Sequence, residues 1–390
     1  MKKILYIPIL LTLPLFIVSC DKDDDDHGHN DHDTCCQDNN NVVVAPDTYN
    51  FTREGESTVS YSGQTCRLEM AHDIYNSLND PSYTTSQIME MFDDGTGFPI
   101  DNSASTLSGQ YECGKNVGSK TAASSLASST VKSQFDDMII HLVDNVYPNW
   151  TSSASEGVSG QITTSSGSTY QVDGKGLEVD QAFIKGLIGA LCVDQITNNY
   201  LTPTKLDGDG TTNDTEGLAM GEYTSMEHYW DEGFGYLYGR DDAENPVLGV
   251  GVLLNKYLKK VNESNEPGIA TEIYDAFKLG RAAIVAGDYD LRDEQSQIIS
   301  EKINKIIAYK AIDYLTGGAE TISSGAPRED SFHGLSEGYG FVLSLQFTGY
   351  FSNVEVNSML DQMMEGNGFW DITSEELNSM ASQIQTTFGL

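Results

Sequence analysis

The sequence predicts an all-α fold of two pseudo-symmetric helical bundles, with a small β-hairpin and an extended N-terminal segment. Three observations carry that expectation. The stretch His228-Tyr-Trp-Asp-Glu232-Gly-Phe-Gly-Tyr236 returns as His333-Gly-Leu-Ser-Glu337-Gly-Tyr-Gly-Phe341, so both read His-x-x-x-Glu-Gly-aromatic-Gly-aromatic. Residues 177–201 align without a gap with 291–315, pairing Gln181 with Gln295, Ile184 with Ile298 and Tyr200-Leu201 with Tyr314-Leu315. Each of these runs leads through a loop to its copy of the motif, and the loops differ in length by about nine residues, a change that costs little entropy.

At the N-terminus, Lys2 and Lys3 precede an apolar run from Ile4 to Val18 that ends in Ile17-Val-Ser-Cys20. A charged start, an apolar centre and a small residue before the cut make residues 1–19 a signal peptide, below the usual spanning length. The pattern resembles the lipobox of bacterial lipoproteins, which implies lipidation of Cys20 and a membrane anchor. Residues 20–48 carry Asp21-Lys-Asp-Asp-Asp-Asp26, then His27, His29 and His32, a composition that builds no core and reads as a solvated tether. Its His and interleaved Asp are also a loose donor set for a divalent metal. Lys followed by acids just after the lipidated Cys resembles the surface-export signal of Bacteroidota lipoproteins, which implies an outer-membrane protein exposed on its outer face.

The chain holds 58 Asp and Glu against 22 Lys and Arg, a net charge of −36. Nucleic acid is excluded as a partner, because phosphate contacts need clustered cations. Of the six Cys, Cys35 and Cys36 sit on the tether, and Cys66 and Cys113 are spaced for a disulfide in an oxidising compartment. Cys192 lies in an apolar helical run and reads as a buried free thiol. No CxxC occurs, so thiol-based zinc or redox chemistry has no motif.

The elements follow in order. Residues 42–66 read as extended, with Tyr49-x-Phe51-x-Arg53 alternating. A helix begins near Arg67, with Leu68, Ala71, Ile74, Tyr75 and Leu78 on one face, and stops at Asn79-Asp-Pro81. A short helix covers 85–92, a loop 94–115, and a helix 120–146 that Pro148 ends. Gln161-Ile-Thr-Thr and Thr169-Tyr-Gln-Val172 flank Ser165-Ser-Gly167 as a hairpin. Residues 177–201 form a deeply buried helix. The loop from Asp207 to Asp214 fails the EF-hand test, because Thr212 stands at the sixth position and Leu218 at the twelfth. The second half runs through helices at 247–260, 266–284, 291–315, 331–348, 353–365 and 373–388. The expected division is 49–245 for the first bundle repeat and 246–390 for the second.

His228 and Glu232 lie one helical turn apart, with Asp231 and Glu227 on the neighbouring arc. Carboxylate with imidazole suits iron or another divalent ion. One helix cannot complete a coordination sphere, so Glu69 and His72, an E-x-x-H pair on the first helix, are the further candidates. No second E-x-x-H occurs, which argues against a symmetric di-iron centre. In the second copy His333 and Glu337 remain, while Phe332 and Ser336 replace Glu227 and Asp231, so the first copy is the richer ligand set. A His and Glu at this spacing also form an ordinary charge-assisted pair that would organise a core. The motif glycines require close approach or a helix break, since each costs on the order of 1 kcal/mol in a helix interior. No G-x-S-x-G, H-E-x-x-H or P-loop pattern supplies a catalytic motif.

The lipobox, the acidic tether, Tyr49-x-Phe51-x-Arg53, Tyr61-Ser-Gly-Gln64 and Glu227-His-x-x-Asp-Glu-Gly-Phe-Gly-Tyr236 together resemble an uncharacterised Bacteroidota lipoprotein family, a domain of unknown function. More distantly, paired bundles with a His/Glu helix are similar to the imelysin-like proteins, surface or periplasmic proteins linked to iron uptake and once classed as peptidases. Their hallmark is G-x-H-x-x-E; this chain has H-x-x-x-E without the leading Gly. The resemblance implies a surface-anchored, non-enzymatic protein that binds iron, another divalent cation or a metal complex. The alternatives are a structural or adaptor lipoprotein with no metal site, and a peptidase-type metallohydrolase.

Overall fold

The N-terminal segment crosses the body of the protein in extended conformation, pausing at a two-residue pairing of β1 (Thr52–Arg53) with β2 (Glu56–Ser57). The computed structural model describes residues 42–100 and 111–390, and Val43–Leu390 forms one unit. The signal peptide, Cys20 and most of the tether, Cys35 and Cys36 included, lie outside the described residues. Among the described residues no helix is long and apolar enough to cross a membrane.

The first helices are α1 (Ser62–Leu78), α2 (Thr85–Met89) and α3 (Ser128–His141). The helix expected from residue 120 starts late. Ala122 adopts a left-handed φ of 55° and its N–H bonds to Ala190 O at 2.6 Å, so the Ser-rich stretch is spent on turns. A hairpin of β3 (Gly160–Thr163) and β4 (Thr169–Val172) follows, with Gly160 opposite Val172. Next comes α4 (Val179–Leu187), which widens into π-type turns at Ile188–Val193 and Ile196–Tyr200. The short α5 (Pro203–Leu206) leads to α6 (Ser225–Tyr238), the first motif helix.

The remaining helices are α7 (Leu254–Ser264), α8 (Ile269–Ala286), α9 (Tyr289–Ser323), α10 (Glu329–Ser344), α11 (Asn353–Met363) and α12 (Ser374–Phe388). The protein is thus mostly helical, with two small antiparallel strand pairs. The long α9 runs through Gly317 and Gly318, and a Cβ at Gly318 would lie 2.4 Å from Leu335 Cδ2, so the Leu335 side chain of the second motif helix packs directly on the α9 backbone. The core is continuous, from Ile74 and Phe92 through Phe183 and Leu191 to Trp230, Phe277, Ile307 and Phe341.

The motif glycines mark close approaches. A Cβ at Gly235 would lie 2.5 Å from Tyr61 Cβ on the residue capping α1. One at Gly340 would lie 2.4 Å from Lys185 Cβ, 2.7 Å from Gly186 N and 2.8 Å from Ala182 O, all on α4. Backbone atoms cannot move aside as side-chain tips do. Gly340→Ala should therefore cost about 1–3 kcal/mol through overpacking, read as an earlier urea midpoint.

A buried charge network on the first motif helix

Helix α6 begins with a capping box: Glu227 N donates to Thr224 Oγ1 at 3.1 Å, and Thr224 N donates to Glu227 Oε2 at 2.6 Å. Glu227 is thus bound first to its own helix start. Arg281, on α8 and fully buried, donates Nη1 to Glu227 Oε1 at 3.0 Å and Nε to Asp231 Oδ1 at 3.1 Å. Its remaining Nη2 donates to Thr58 Oγ1 at 3.1 Å. Glu227 and Asp231 lie one turn apart, so a single guanidinium spans both.

The N-terminal segment closes the network. Its alternation sends Tyr49, Phe51 and Arg53 to one side. The Tyr49 hydroxyl donates to Asp231 Oδ1 at 2.7 Å, and its ring stacks on Phe234 at 3.8 Å. Phe51 lies under the Arg281 guanidinium at 4.9 Å. Arg53 Nη2 donates to both Glu227 oxygens at 3.2 Å, and Ser60 N donates to Asp231 Oδ2 at 3.2 Å. Burial pushes the Asp231 carboxyl above its ordinary value, with Arg281, the Tyr49 hydroxyl and Ser60 N–H pulling it back. For Glu227 the same contest ends the other way: burial raises it, but Arg281, Thr224 N–H and Arg53 hold it below the usual range.

His228 and Glu232 occupy the next arc. His228 Nε2 lies 3.9 Å from Glu232 Oε2, and the ring stacks on Tyr223 at 4.6 Å with its Nδ1 buried and without a partner. Glu232 Oε1 accepts from Gln64 Nε2 at 2.9 Å and from Tyr200 OH at 3.2 Å. Glu69 and His72 do not join them: among the described residues no three His, Cys, Asp or Glu side chains form a cluster able to hold a metal ion. Burial and the nearby Arg240 lower the His72 pKa, and its Nδ1 is also buried without a partner.

In the second copy His333 Nδ1 meets Glu178 Oε2 at 3.0 Å and the ring stacks on Tyr170 at 4.5 Å. Burial pushes Glu178 up to about 7 against the pull of His333, and the Glu178 contact raises His333 in spite of its own burial. Ser336, at the position of Asp231, accepts from Glu178 N at 2.9 Å. Glu337 pairs with the buried Lys185 at 3.2 Å and accepts from Tyr257 OH at 2.9 Å. Burial opposes its charge, yet Lys185, a Tyr314 hydrogen bond and Lys260 hold the carboxyl down at about 2. The Cys66 and Cys113 sulfurs are bonded, and Cys192 is a free buried thiol.

Arg281, Arg53, Tyr49 and Lys185 are the site residues that motif reading missed. One signal was in plain view: Thr224-Ser-Met-Glu227 is a capping-box sequence, which assigns Glu227 to the helix start. No curated protein and no solved structure matches the chain. Residues 46–390 match the family described as Domain of unknown function (DUF4856), and the chain belongs to that family.

Proposed function

We propose that the protein is a lipid-anchored, non-enzymatic adaptor lipoprotein of the outer membrane, held at the surface by its acidic tether. In this reading its His-x-x-x-Glu-Gly helices serve as internal ties of two related halves. One observation carries it: the motif carboxylates are already matched by the chain's own donors. Arg281 and Arg53 answer Glu227, Arg281 and Tyr49 answer Asp231, Gln64 and Tyr200 answer Glu232, and Lys185 and Tyr257 answer Glu337. A metal would have to displace these partners.

A shared ancestry of the halves is supported by matching contacts. Tyr200 and Tyr314, which align in sequence, each donate to the motif Glu of their own half. Gly233 lies against Leu201 and Gly338 against Tyr314 and Leu315, again aligned positions. Each motif His stacks on a Tyr.

A second reading, iron or another divalent ion at His228 and Glu232, is favoured by the unpartnered His228 Nδ1 and the open 3.9 Å separation. The metal content of the purified mature protein separates the two. Internal ties predict the same substoichiometric content in wild type and in a His228→Ala/Glu232→Ala variant. One equivalent in wild type, lost in the variant, would establish the metal site instead.

A further inference from the structure

Beside Glu232, four cations gather without carboxylate partners of their own. Arg67, on α1 and only 7% exposed, donates Nε to Asn116 O at 2.9 Å and Nη1 to Gly63 O at 3.5 Å. Lys115 approaches the same spot: a Cβ at Gly63 would lie 3.4 Å from Lys115 Cε and 3.8 Å from Arg67 Nη1. Lys120 Nζ lies 5.6 Å from the centre of the Tyr200 ring, and Lys205 Nζ 3.8 Å from that of Tyr229. Those two rings are 6.5 Å apart, and Tyr200 is the residue bonded to Glu232. Among the described residues none of the four cations has an Asp or Glu oxygen within 4.0 Å.

This is an unusual use of scarce charge. The chain has 58 acidic residues to 22 basic ones, so counter-charges are abundant, yet Glu232, the carboxylate beside these cations, bonds Gln64 and Tyr200 and pairs with none of the four. Burial lowers the Lys120 pKa, and Arg67, Lys205 and Lys115 lower it further, with Glu232 opposing. Like charges held together beside a buried guanidinium are costly unless an anion joins them. The arrangement is also fastened: the Cys66–Cys113 disulfide joins α1, next to Arg67, to the segment that carries Lys115 and Lys120.

We propose that this face binds a small ligand through a phosphate or sulfate group, held by Arg67, Lys120 and Lys205 and walled by Tyr200 and Tyr229. The three cations come from α1, the turn at Gly118–Lys120 and α5, so they surround an anion with several acceptor oxygens. The overall charge of −36 repels an extended polyanion, which limits the ligand to a small one. The proposal goes beyond the structural role of the motif helices, because its cations lie outside both motifs.

Inorganic phosphate and inorganic sulfate, each at low millimolar concentration against chloride at equal ionic strength, test it on the mature disulfide-bonded protein by calorimetric titration and thermal unfolding. At least one anion is expected to bind and to raise the Tm, and the one that does identifies the group. Lys120→Ala/Lys205→Ala, at two half-exposed positions, should fold and bind at least about tenfold more weakly, the loss of charge-assisted bonds. Arg67→Lys should weaken binding as well. Heat and Tm shifts no larger than with chloride, or equal binding by the double-lysine variant, would overturn the proposal.

Discussion

Arg281→Met should destabilise the protein by about 3–5 kcal/mol, the usual loss when one partner of a buried ion pair is removed. Arg281 is fully buried and carries the contacts to two carboxylates, Glu227 and Asp231. Methionine fills much of the same volume, so the loss is electrostatic rather than a cavity effect. It should also depend on pH in a definite direction. Burial already raises the Asp231 carboxyl, and Arg281 is the strongest influence that pulls it back. A carboxyl raised in the folded state lowers stability as pH rises from its unfolded value. The deficit of the variant relative to wild type should therefore be smaller near pH 5 than at pH 8, as urea unfolding at the two pH values would show.

Glu337→Gln is the second large effect. The change keeps shape and removes the direct ion-pair partner of Lys185, which is only 2% exposed. A cost again of about 3–5 kcal/mol is expected. The wild-type pair has its own acid signature. A carboxyl held at about 2 against an ordinary 4.5 supports stability on the order of 3 kcal/mol. Because the folded value is depressed, that contribution is fully present above pH 4.5 and is lost as pH falls towards 2. Over this window the wild type should lose stability more steeply than Glu337→Gln; identical slopes would mean that Glu337 is not held charged by Lys185.

Much of the helical layout was legible because the apolar positions recur every three to four residues, as in Ile299, Ile303 and Ile306 of α9. The β3–β4 hairpin was legible from alternation around a Ser-Gly turn. The late start of α3 was not, because it depends on an N–H of Ala122 finding a carbonyl across the core at Ala190. The site divides in the same way. Local spacing placed His228 beside Glu232 and Glu227 near Asp231. It could not show that a residue fifty positions on, Arg281, and an N-terminal tyrosine, Tyr49, would occupy those carboxylates. Partner choice is a long-range property, and the same four side chains read as ligands or as ties depending on it.

The Tyr49-x-Phe51-x-Arg53 pattern gains a physical meaning from these contacts. Each of its three residues meets α6 or its Arg281 partner, so the extended segment acts as a strap across the first motif helix. The second motif helix has Ser336 where the first has Asp231; Ser336 accepts from Glu178 N and donates to Phe332 O, while Lys185 pairs with Glu337. The two motif helices are thus stabilised by different chemistry.

The most direct test of charge matching compares Arg281→Met with Arg281→Met/Glu227→Gln/Asp231→Asn by urea unfolding at pH 8. Neutralising both carboxylates should recover at least about half of the lost stability, because the penalty comes from stranded charge rather than from the missing guanidinium. A triple variant no more stable than Arg281→Met alone would contradict the account.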